Sequence, residues 1–376
     1  MKGLTSLSLT VVVCLFIGAV SAFGQNAYRI SGPYTHQNLT IFLIHGGDVN
    51  SNNNLITLQE AMEMKVFKVY ETEDVNELIV ENISPKYDVF IQSGDIVKGG
   101  KQDRVLAISI IVPRNSGKVS IEAFCVESDR WDGRGDENEK EFSSSEERIV
   151  SKELKIAANG VVSGSGSGNG VGSGSASASG SGSGNGNVIV SGARSSGPGT
   201  GSGGGSQTAV WNEVANAQRN ISANVTVDVT ANSSATSLQL SLENKKLVRT
   251  REEFAKNFAD LLKGKTDVIG YAFAINGEIN SADIYVSNHL FAKLWPKMLN
   301  ATVTEAISLA DQEKAESEPT AGDITAFISK AEKGKARERQ TVAKSKVVTR
   351  QTENEVVYEA KDKAGVVVHR SYVKLN

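Results

Sequence analysis

The segment Val268–Trp295, VIGYAFAINGEINSADIYVSNHLFAKLW, contains the clearest secondary-structure pattern in this chain. Two apolar runs, Val268–Ile275 and Ile279–Val286, flank the dipeptide Asn276-Gly277. An Asn-Gly pair between two apolar runs is the strongest short-range signal for a β-hairpin, because both residues accept the positive φ angles of a type I′ turn. The segment therefore predicts two antiparallel strands joined by a tight turn.

Apolar residues at helical spacing follow this hairpin from residue 288 to about residue 316. Pro296 is expected to kink or restart the helix, because proline has no backbone N–H and its ring clashes with the preceding turn. A second hairpin is predicted from Glu355–Ala360 and Val366–Val373, with its turn at Asp362–Gly365.

Two further helices are predicted ahead of the first hairpin. One has an apolar face of Val210, Trp211, Val214 and Ala217. The other is predicted to begin at a capping box formed by Thr250 and Glu253. Its apolar stripe is Phe254, Phe258, Leu261 and Leu262, and Gly264 follows as its terminating residue.

The N-terminal half has mostly strand patterns, with one short helix predicted from a capping box at Thr57 and Glu60 through Met64. The predicted strands are residues 38–44, 66–71, 77–82, 88–92, 105–113 and 119–126. Strands first, followed by helices mixed with two hairpins, indicate an α+β fold.

A tract made almost wholly of Gly, Ser, Asn and Ala covers residues 160–206 and holds 18 of the 36 glycines. Such a composition cannot bury enough apolar surface to offset the backbone entropy of ordering, so the tract is expected to be disordered. It could link two domains or be a long loop within one domain, and composition alone does not choose between these.

Residues 1–25 have the pattern of a secretory signal peptide, with Lys2 ahead of an apolar run and small residues at its end. Cleavage would place the mature protein outside the inner membrane, secreted or periplasmic, with no membrane segment left. Cys125 is the only cysteine beyond this segment, so no intramolecular disulfide is expected.

The formal net charge of −3 gives no positive field for nucleic acid, so DNA or RNA binding is disfavoured. The four histidines lack zinc-site spacing, and no metal is predicted. Residues 259–266, ADLLKGKT, match a loose P-loop pattern but follow a helix and precede a strand. Phosphate binding needs the reverse order, so no nucleotide or other cofactor is predicted.

Two dense polar stretches remain as candidate sites. The first, residues 94–104, is predicted as a glycine-rich loop whose backbone and side-chain donors could hold an anion. The second is residues 124–131, FCVESDRW, where a strand ends in a thiol, a carboxylate, a guanidinium and an indole. Cys125 is predicted to be a small buried core residue, because a nucleophilic role needs an exposed thiolate with an adjacent base.

The run GDIVKGGKQDRVL followed by FCVESDRW resembles the ARG-and-rhodanese-phosphatase-superfamily-associated protein domain. The resemblance continues through Val210–Val214, Val268–Trp295 and Val367–Tyr372, and covers about residues 27–376. It implies one domain, residues 26–376, with the tract as an insertion. The signal peptide and the insertion depart from the family pattern. The resemblance places these residues at family motif positions: Gly99, Gln102, Arg104, Cys125, Glu127, Arg130, Trp131 and His369.

Three functions are compatible with these residues. The first is a binding module for a small anionic or sugar-phosphate-like ligand, because arginines and an aromatic face suit a planar anion. The second is a hydrolase of a nucleotide-like or ADP-ribose-like substrate, with Glu127 or His369 as general base. The third is architectural, with a buried Arg/Glu network that Trp131 closes. The candidate ligand residues are Gly99, Lys101, Gln102, Arg104, Glu127, Arg130, Trp131 and His369.

Overall fold

The computed structural model of the protein describes residues 28–48, 54–128, 130–160, 206–341 and 345–375. The predicted signal peptide, residues 1–25, and the tract at 161–205 lie outside the described residues. The described chain is α+β, with a strand-rich N-terminal half and most helices in the C-terminal half, as the sequence predicts. None of the helices in these ranges has both the length and the apolar character needed to cross a membrane.

The strands before the tract, in chain order, are β1 (Arg29–His36), β2 (Leu39–His45), β3 (Leu55–Thr57), β4 (Phe67–Tyr70), β5 (Glu77–Asn82), β6 (Asp88–Ile91), β7 (Asp95–Gly99), β8 (Arg104–Leu106), β9 (Ile110–Val112), β10 (Gly117–Cys125) and β11 (Phe142–Arg148). Those after it are β12 (Val268–Ile275), β13 (Glu278–Tyr285), β14 (Lys335–Gln340), β15 (Lys346–Gln351), β16 (Glu355–Lys361) and β17 (Val367–Lys374). The helices are α1 (Leu58–Glu63), α2 (Lys152–Asn159), α3 (Gln207–Val225), α4 (Leu238–Leu242), α5 (Lys245–Ala255), α6 (Asn288–Ser308) and α7 (Ala321–Glu332).

An antiparallel eight-stranded sheet has the order β1-β2-β12-β13-β17-β16-β15-β14. Both predicted hairpins are confirmed, β12–β13 and β16–β17, and Asn276 and Gly277 have φ of 53° and 82°. Residues of β2 alternate between two apolar clusters, with Leu43 in the one that contains α6 and Phe42 in the one that contains α7. The sheet is therefore covered on both faces.

A six-stranded sheet has the order β11-β7-β8-β10-β5-β4. Its two edge strands meet, because Tyr70 and Glu141 form a β-bridge and the Glu71 amide donates to the Lys140 carbonyl at 3.0 Å. The sheet thus closes on itself into a small barrel. A three-stranded sheet, β3-β6-β9, packs beside it.

The prediction of one strand over residues 105–113 is wrong. The chain leaves the barrel after β8 and enters the three-stranded sheet as β9, with residues 107–109 between them. The prediction that residues 94–104 form one loop is also wrong, because β7 occupies much of that stretch. These strands are only three to five residues long, and β8 and β9 belong to different sheets although three residues separate them.

The capping box of α1 is confirmed: the Glu60 amide donates to Thr57 Oγ1 at 3.2 Å, and the Thr57 amide donates to Glu60 Oε2 at 2.9 Å. The prediction of a helix-starting capping box at Thr250 and Glu253 is wrong. Helix α5 begins earlier, after Asn244, whose side chain accepts from the Lys246 and Leu247 amides. Helix α6 runs through Pro296 without restarting, and it ends at Ser308, short of the predicted residue 316.

The two helices that flank the tract, α2 and α3, pack against each other. The Ser206 amide donates to the Ala157 carbonyl at 3.2 Å, and Gly160 ends α2 in the left-handed conformation. The tract therefore leaves and re-enters the described structure at neighbouring points. Helices α2, α3 and α6 contribute to one apolar cluster with residues of the N-terminal half, such as Phe90 and Val105.

Candidate functional site

Seven of the eight sequence-predicted site residues lie together at one end of the barrel. The turn after β7 is tight, with Gly99 and Gly100 at φ of 117° and 55°. A Cβ on Gly100 would lie 2.3 Å from the Phe142 ring, so only glycine fits there. The Gly99 amide donates to the Asp103 carboxylate at 3.1 Å, which ties the turn to a buried acid.

Arg104 extends into the barrel and is fully buried. Its Nη2 donates to Glu71 Oε1 at 3.0 Å, and its Nη1 lies 2.6 Å from the Cys125 sulfur. Burial raises the pKa of the Cys125 thiol to about 12, although the neighbouring Arg104 opposes the shift. Cys125 is therefore a protonated, buried thiol, as the sequence predicts, and not an activated nucleophile.

Arg130 lies against two buried acids. Its Nε donates to both carboxylate oxygens of Glu127 at 3.0 Å, and its Nη2 lies 3.7 Å from Asp103 Oδ1. Arg134 adds a second cation, with its Nη1 donating to Asp103 Oδ2 at 2.9 Å. We call these four residues with Arg104 and Glu71 the barrel-end network.

Asp103 and Glu127 have pKa values shifted in opposite directions. Burial alone would raise the pKa of Glu127, but the hydrogen bonds and charge of Arg130 outweigh it, so the Glu127 pKa is lowered. Burial raises the pKa of Asp103, and the bond from Arg134 only partly opposes this. Guanidinium–carboxylate pairing thus keeps Glu127 ionised inside the protein.

The remaining residues of this end are Lys101, Gln102 and Trp131. Lys101 Nζ lies 2.9 Å from Glu73 Oε1 and 5.7 Å from the centroid of the Trp131 ring. Trp131 is 43% exposed, so it does not close the core as the architectural alternative expects. Gln102 is buried, and its Oε1 has no hydrogen-bond partner among the described residues. Each sequence-predicted cation at this end is therefore already paired with a carboxylate.

His369 lies apart from the other seven, on β17 of the eight-stranded sheet. Its Nε2 is 2.9 Å from Asp283 Oδ1, and its Nδ1 is 3.1 Å from Ser109 Oγ. Burial lowers the pKa of His369 against the opposing effect of Asp283, so the ring is neutral. Burial disfavours ionised Asp283, but Lys155 and His369 outweigh it and lower its pKa. A neutral ring between these groups donates from Nε2 to Asp283 and accepts from Ser109 at Nδ1.

This Asp283–His369–Ser109 arrangement has the residue types of a catalytic triad, but its surroundings are those of a buried cross-link. All three side chains are buried, and Ser109 Oγ also accepts from the Ser93 amide at 2.9 Å. The His369 ring stacks on Tyr285 with centroids 4.7 Å apart. A serine nucleophile needs an exposed oxygen beside an oxyanion-stabilising group, so we interpret the arrangement as joining two sheets.

A cavity of about 560 Å³ lies elsewhere, between α2, α3, the β12–β13 turn and the C-terminal end of α6. Its volume is in the range of small-molecule sites. It is lined mainly by carboxylates and side-chain amides. Its charged residues are Lys152, Glu153, Glu213, Glu278, Glu305 and Glu313, and its amides are Asn216, Asn220, Asn276, Asn280 and Gln312.

Glu305 is the buried carboxyl group of this cavity, only 5% exposed. Its Oε1 accepts from the Lys152 amide at 3.0 Å and from Asn280 Nδ2 at 2.8 Å. No hydrogen bond or ion pair from a described residue reaches Oε2. Burial, reinforced by Glu153, raises the pKa of Glu305 to about 7. The two hydrogen bonds and the charge of Lys152 oppose this pKa shift only partly, so the group ionises near neutral pH although it forms no ion pair with a described residue.

Asn276 lines the same cavity from the hairpin turn. It is 6% exposed, and its Nδ2 donates to the Leu309 carbonyl at 2.8 Å, one helical turn beyond Glu305. Its Oδ1 has no hydrogen-bond partner among the described residues and is itself fully buried, so this atom does not open into the cavity. A buried acceptor without a donor costs about 1–3 kcal/mol, so an orphan of this kind calls for an explanation.

The sequence does not predict this cavity. The Asn-Gly pair is sufficient to explain a hairpin, so the sequence indicates only a turn at Asn276. Glu305 was within reach of sequence reasoning, because it is a lone carboxylate on the buried, otherwise apolar and hydroxylated stretch Ala301–Ser308. The residues of α2 and α3 could not be assigned, because their contact with the turn depends on tertiary packing.

Comparison with known proteins identifies the family. A family model described as the ARG and Rhodanese-Phosphatase-superfamily-associated Protein domain, ARPP-1, matches residues 27–373. The chain therefore belongs to this family, and the resemblance inferred from its sequence is confirmed. No curated protein and no solved structure matches the chain.

Proposed function

We propose that this protein is a binding module for a small molecule, and that its site is the cavity between α2, α3, the β12–β13 turn and α6. The observation that carries the proposal is the buried Glu305 carboxyl in the wall of this cavity. Its Oε1 accepts two hydrogen bonds, whereas no hydrogen bond or ion pair from a described residue reaches its Oε2. A ligand that donates a hydrogen bond to Oε2 would satisfy this buried carboxyl group.

The barrel-end network is, in this proposal, architectural. Its support is the pairing of Arg104 with Glu71 and of Arg130 with Glu127, which leaves neither guanidinium free for an anion. An anionic ligand at this end would have to compete with carboxylates that are already in place. The charge pairs instead hold the turn after β7 against the end of β10.

The proposal is tested by a thermal-shift screen of the purified protein. The panel covers nucleotides, ADP-ribose and sugar phosphates as anions, polyols as neutral compounds, and organic amines as cations. A ligand at about one hundred times its Kd stabilises the folded state by about 2.7 kcal/mol, which raises Tm by roughly 5 °C in a domain of this size.

Two variants of α3 with the same substitution locate the binding site. Asn216 lines the cavity, so Asn216→Trp fills it and is expected to abolish the shift. Asn212 is an exposed residue of the same helix outside the cavity lining, so Asn212→Trp is expected to leave the shift unchanged. A shift that survives in Asn216→Trp, or a panel in which no compound class raises Tm, would contradict the proposal.

A further inference from the structure

We propose that Ser31, His45 and Asp267 form a second site, at the protein surface, that hydrolyses small carboxylic esters with Ser31 as nucleophile. This inference goes beyond the proposed binding function and does not depend on it. The site adjoins the start of β12, whereas Ile275, at the other end of the same strand, lines the cavity.

Three neighbouring strands of the eight-stranded sheet bring these side chains together. Strand β1 is an edge of the sheet, and in its antiparallel pairing with β2 Arg29 lies opposite His45. Ser31 is two residues further along β1, so it lies on the same face of the sheet, diagonally across from His45. Asp267 directly precedes β12, and its carbonyl accepts from the Gly46 amide at 2.9 Å, which holds it beside the end of β2.

The distances are those of a Ser-His-Asp triad. Ser31 Oγ lies 2.7 Å from His45 Nε2, and Asp267 Oδ1 lies 3.0 Å from His45 Nδ1. A nucleophile within hydrogen-bond reach of a base, which a third group orients in turn, is the recurring arrangement of acyl-transfer sites.

The groups around His45 assign its tautomer. Arg29 Nη2 is 2.8 Å from both Asp267 Oδ2 and His45 Nδ1. The hydrogen bond from His45, helped by Arg29, lowers the pKa of Asp267, so this carboxylate is ionised and its Oδ1 needs a donor. An unprotonated Nδ1 would face Oδ1 as one acceptor against another, whereas the Arg29 side chain is 63% exposed and is free to turn from Nδ1 while it stays bonded to Oδ2. We therefore assign the proton to Nδ1, which leaves Nε2 to accept the proton of Ser31.

Ser31 also meets the two requirements that Ser109 does not. It is half-buried on an edge strand and is followed by the exposed residues Gly32 and Pro33, so part of it is accessible from solvent. The Tyr34 hydroxyl lies 3.5 Å from Ser31 Oγ, where it can donate a hydrogen bond to the oxyanion that forms at an attacked carbonyl.

The proposed reaction has two steps. The Ser31 oxygen attacks the carbonyl carbon of the ester while its proton passes to His45 Nε2, and the carbonyl oxygen gains a negative charge that the Tyr34 hydroxyl stabilises. The bond from the carbonyl carbon to the alcohol oxygen then breaks, and the alcohol leaves with the proton from His45. Water, deprotonated by the same nitrogen, hydrolyses the acyl-serine, which releases the acid and restores Ser31. Asp267 is a positioning residue, because it holds the imidazole and touches no reacting atom.

A fluorophosphonate probe tests the nucleophile in the intact protein, because an activated serine displaces the fluoride and keeps the phosphonyl group. Mass spectrometry of the digested protein locates the adduct, which is expected at Ser31. Ser31→Ala and His45→Gln should remove the adduct, whereas Ser120→Ala, which changes a half-buried serine of β10, should leave it in place. The absence of an adduct, an adduct only at Ser109 or another residue, or an adduct that persists in His45→Gln would overturn the proposal.

Hydrolysis of p-nitrophenyl acetate tests the reaction class. Tyr34→Phe keeps the ring and removes the hydroxyl, so it is expected to lower kcat about a hundredfold. Asp267→Asn is expected to lower kcat at least about a hundredfold, with Tm nearly unchanged because the side chain is 53% exposed. His289→Gln, which changes an exposed histidine of α6, is the control and should hydrolyse the ester as the parent does. Hydrolysis by the parent that is no faster than hydrolysis by Ser31→Ala would overturn the proposal.

Proton–nitrogen NMR of the imidazole rings gives a readout of the positioning role that a change in stability would not move. The His45 ring, assigned by its loss in His45→Gln, should carry its proton on Nδ1, and this preference should be lost in Asp267→Asn. A proton on Nε2 in the parent protein would overturn the proposal, because His45 would then donate to Ser31 and could not accept its proton.

Discussion

The barrel end and the cavity contain the same kinds of charged residue in opposite states. At the barrel end, Arg104, Arg130 and Arg134 are each within 3.0 Å of a buried acid, so charge is compensated inside the protein. At the cavity, Glu305 is 5% exposed and forms no ion pair with a described residue, although the charge of Lys152 lies near it. Removal of one partner from a buried ion pair is strongly destabilising, whereas a buried acid outside an ion pair lowers stability when it ionises.

The largest expected effect that tests this contrast is in the variant Arg130→Ala. Removal of the guanidinium leaves the fully buried Glu127 carboxylate without its main partner, which is expected to cost about 3–5 kcal/mol of unfolding free energy. Denaturant unfolding measures the loss. Arg249→Ala, at an exposed position of α5, is the control and should change stability by less than about 0.5 kcal/mol.

A loss of unfolding free energy below about 1 kcal/mol in Arg130→Ala would contradict the contrast between the barrel end and the cavity, because a loss of that size is typical of a surface ion pair. The barrel-end network would then no longer be the architectural element, and Arg130 would return as a candidate ligand group.

At the cavity, removal of a charged group is expected to raise the unfolding free energy, not to lower it. The pKa of Glu305 is raised from its ordinary 4.5 to about 7 in the folded protein. The folded state therefore binds more protons than the unfolded state between these values, so Glu305 lowers stability as pH rises from 4.5 to about 7. Glu305→Gln removes this penalty and is expected to stabilise the ligand-free protein by about 3 kcal/mol at pH 8.

Unfolding free energies of both proteins at pH 4.5 and at pH 8 measure this effect. The two proteins should differ little at the lower pH and most at the higher one. A variant that is less stable than the parent at both pH values would mean that Glu305 is an architectural residue, like Glu127, and that the two regions do not differ.

A feature of this fold could be predicted from the sequence where the contacts that stabilise it join residues close together in the chain. The Asn276-Gly277 turn and the Thr57–Glu60 capping box were predictable, because their stabilising contacts lie within four residues. Closure of the barrel was not predictable, because it depends on Tyr70 meeting Glu141. The same limit applies to the site: the sequence offered a buried Arg/Glu network as one of three alternatives, but it did not indicate that Asp103 and Arg134 join Glu127 and Arg130 there.

The smallest effect is expected when the insertion is shortened. This change tests whether the barrel end or the cavity depends on the insertion. The tract at 161–205 begins and ends where α2 and α3 already touch, as the 3.2 Å bond from the Ser206 amide to the Ala157 carbonyl shows. Closing a loop costs only about 0.6 kcal/mol for each doubling of its length, so a short Gly-Ser replacement should shift Tm by no more than a few degrees. The affinity of the cavity for any ligand found in the thermal-shift screen should also stay the same, because the cavity-lining positions of α2 and α3 are retained. A large loss of stability would mean that the tract covers apolar surface, and a loss of affinity at unchanged Tm would mean that it contributes to the cavity.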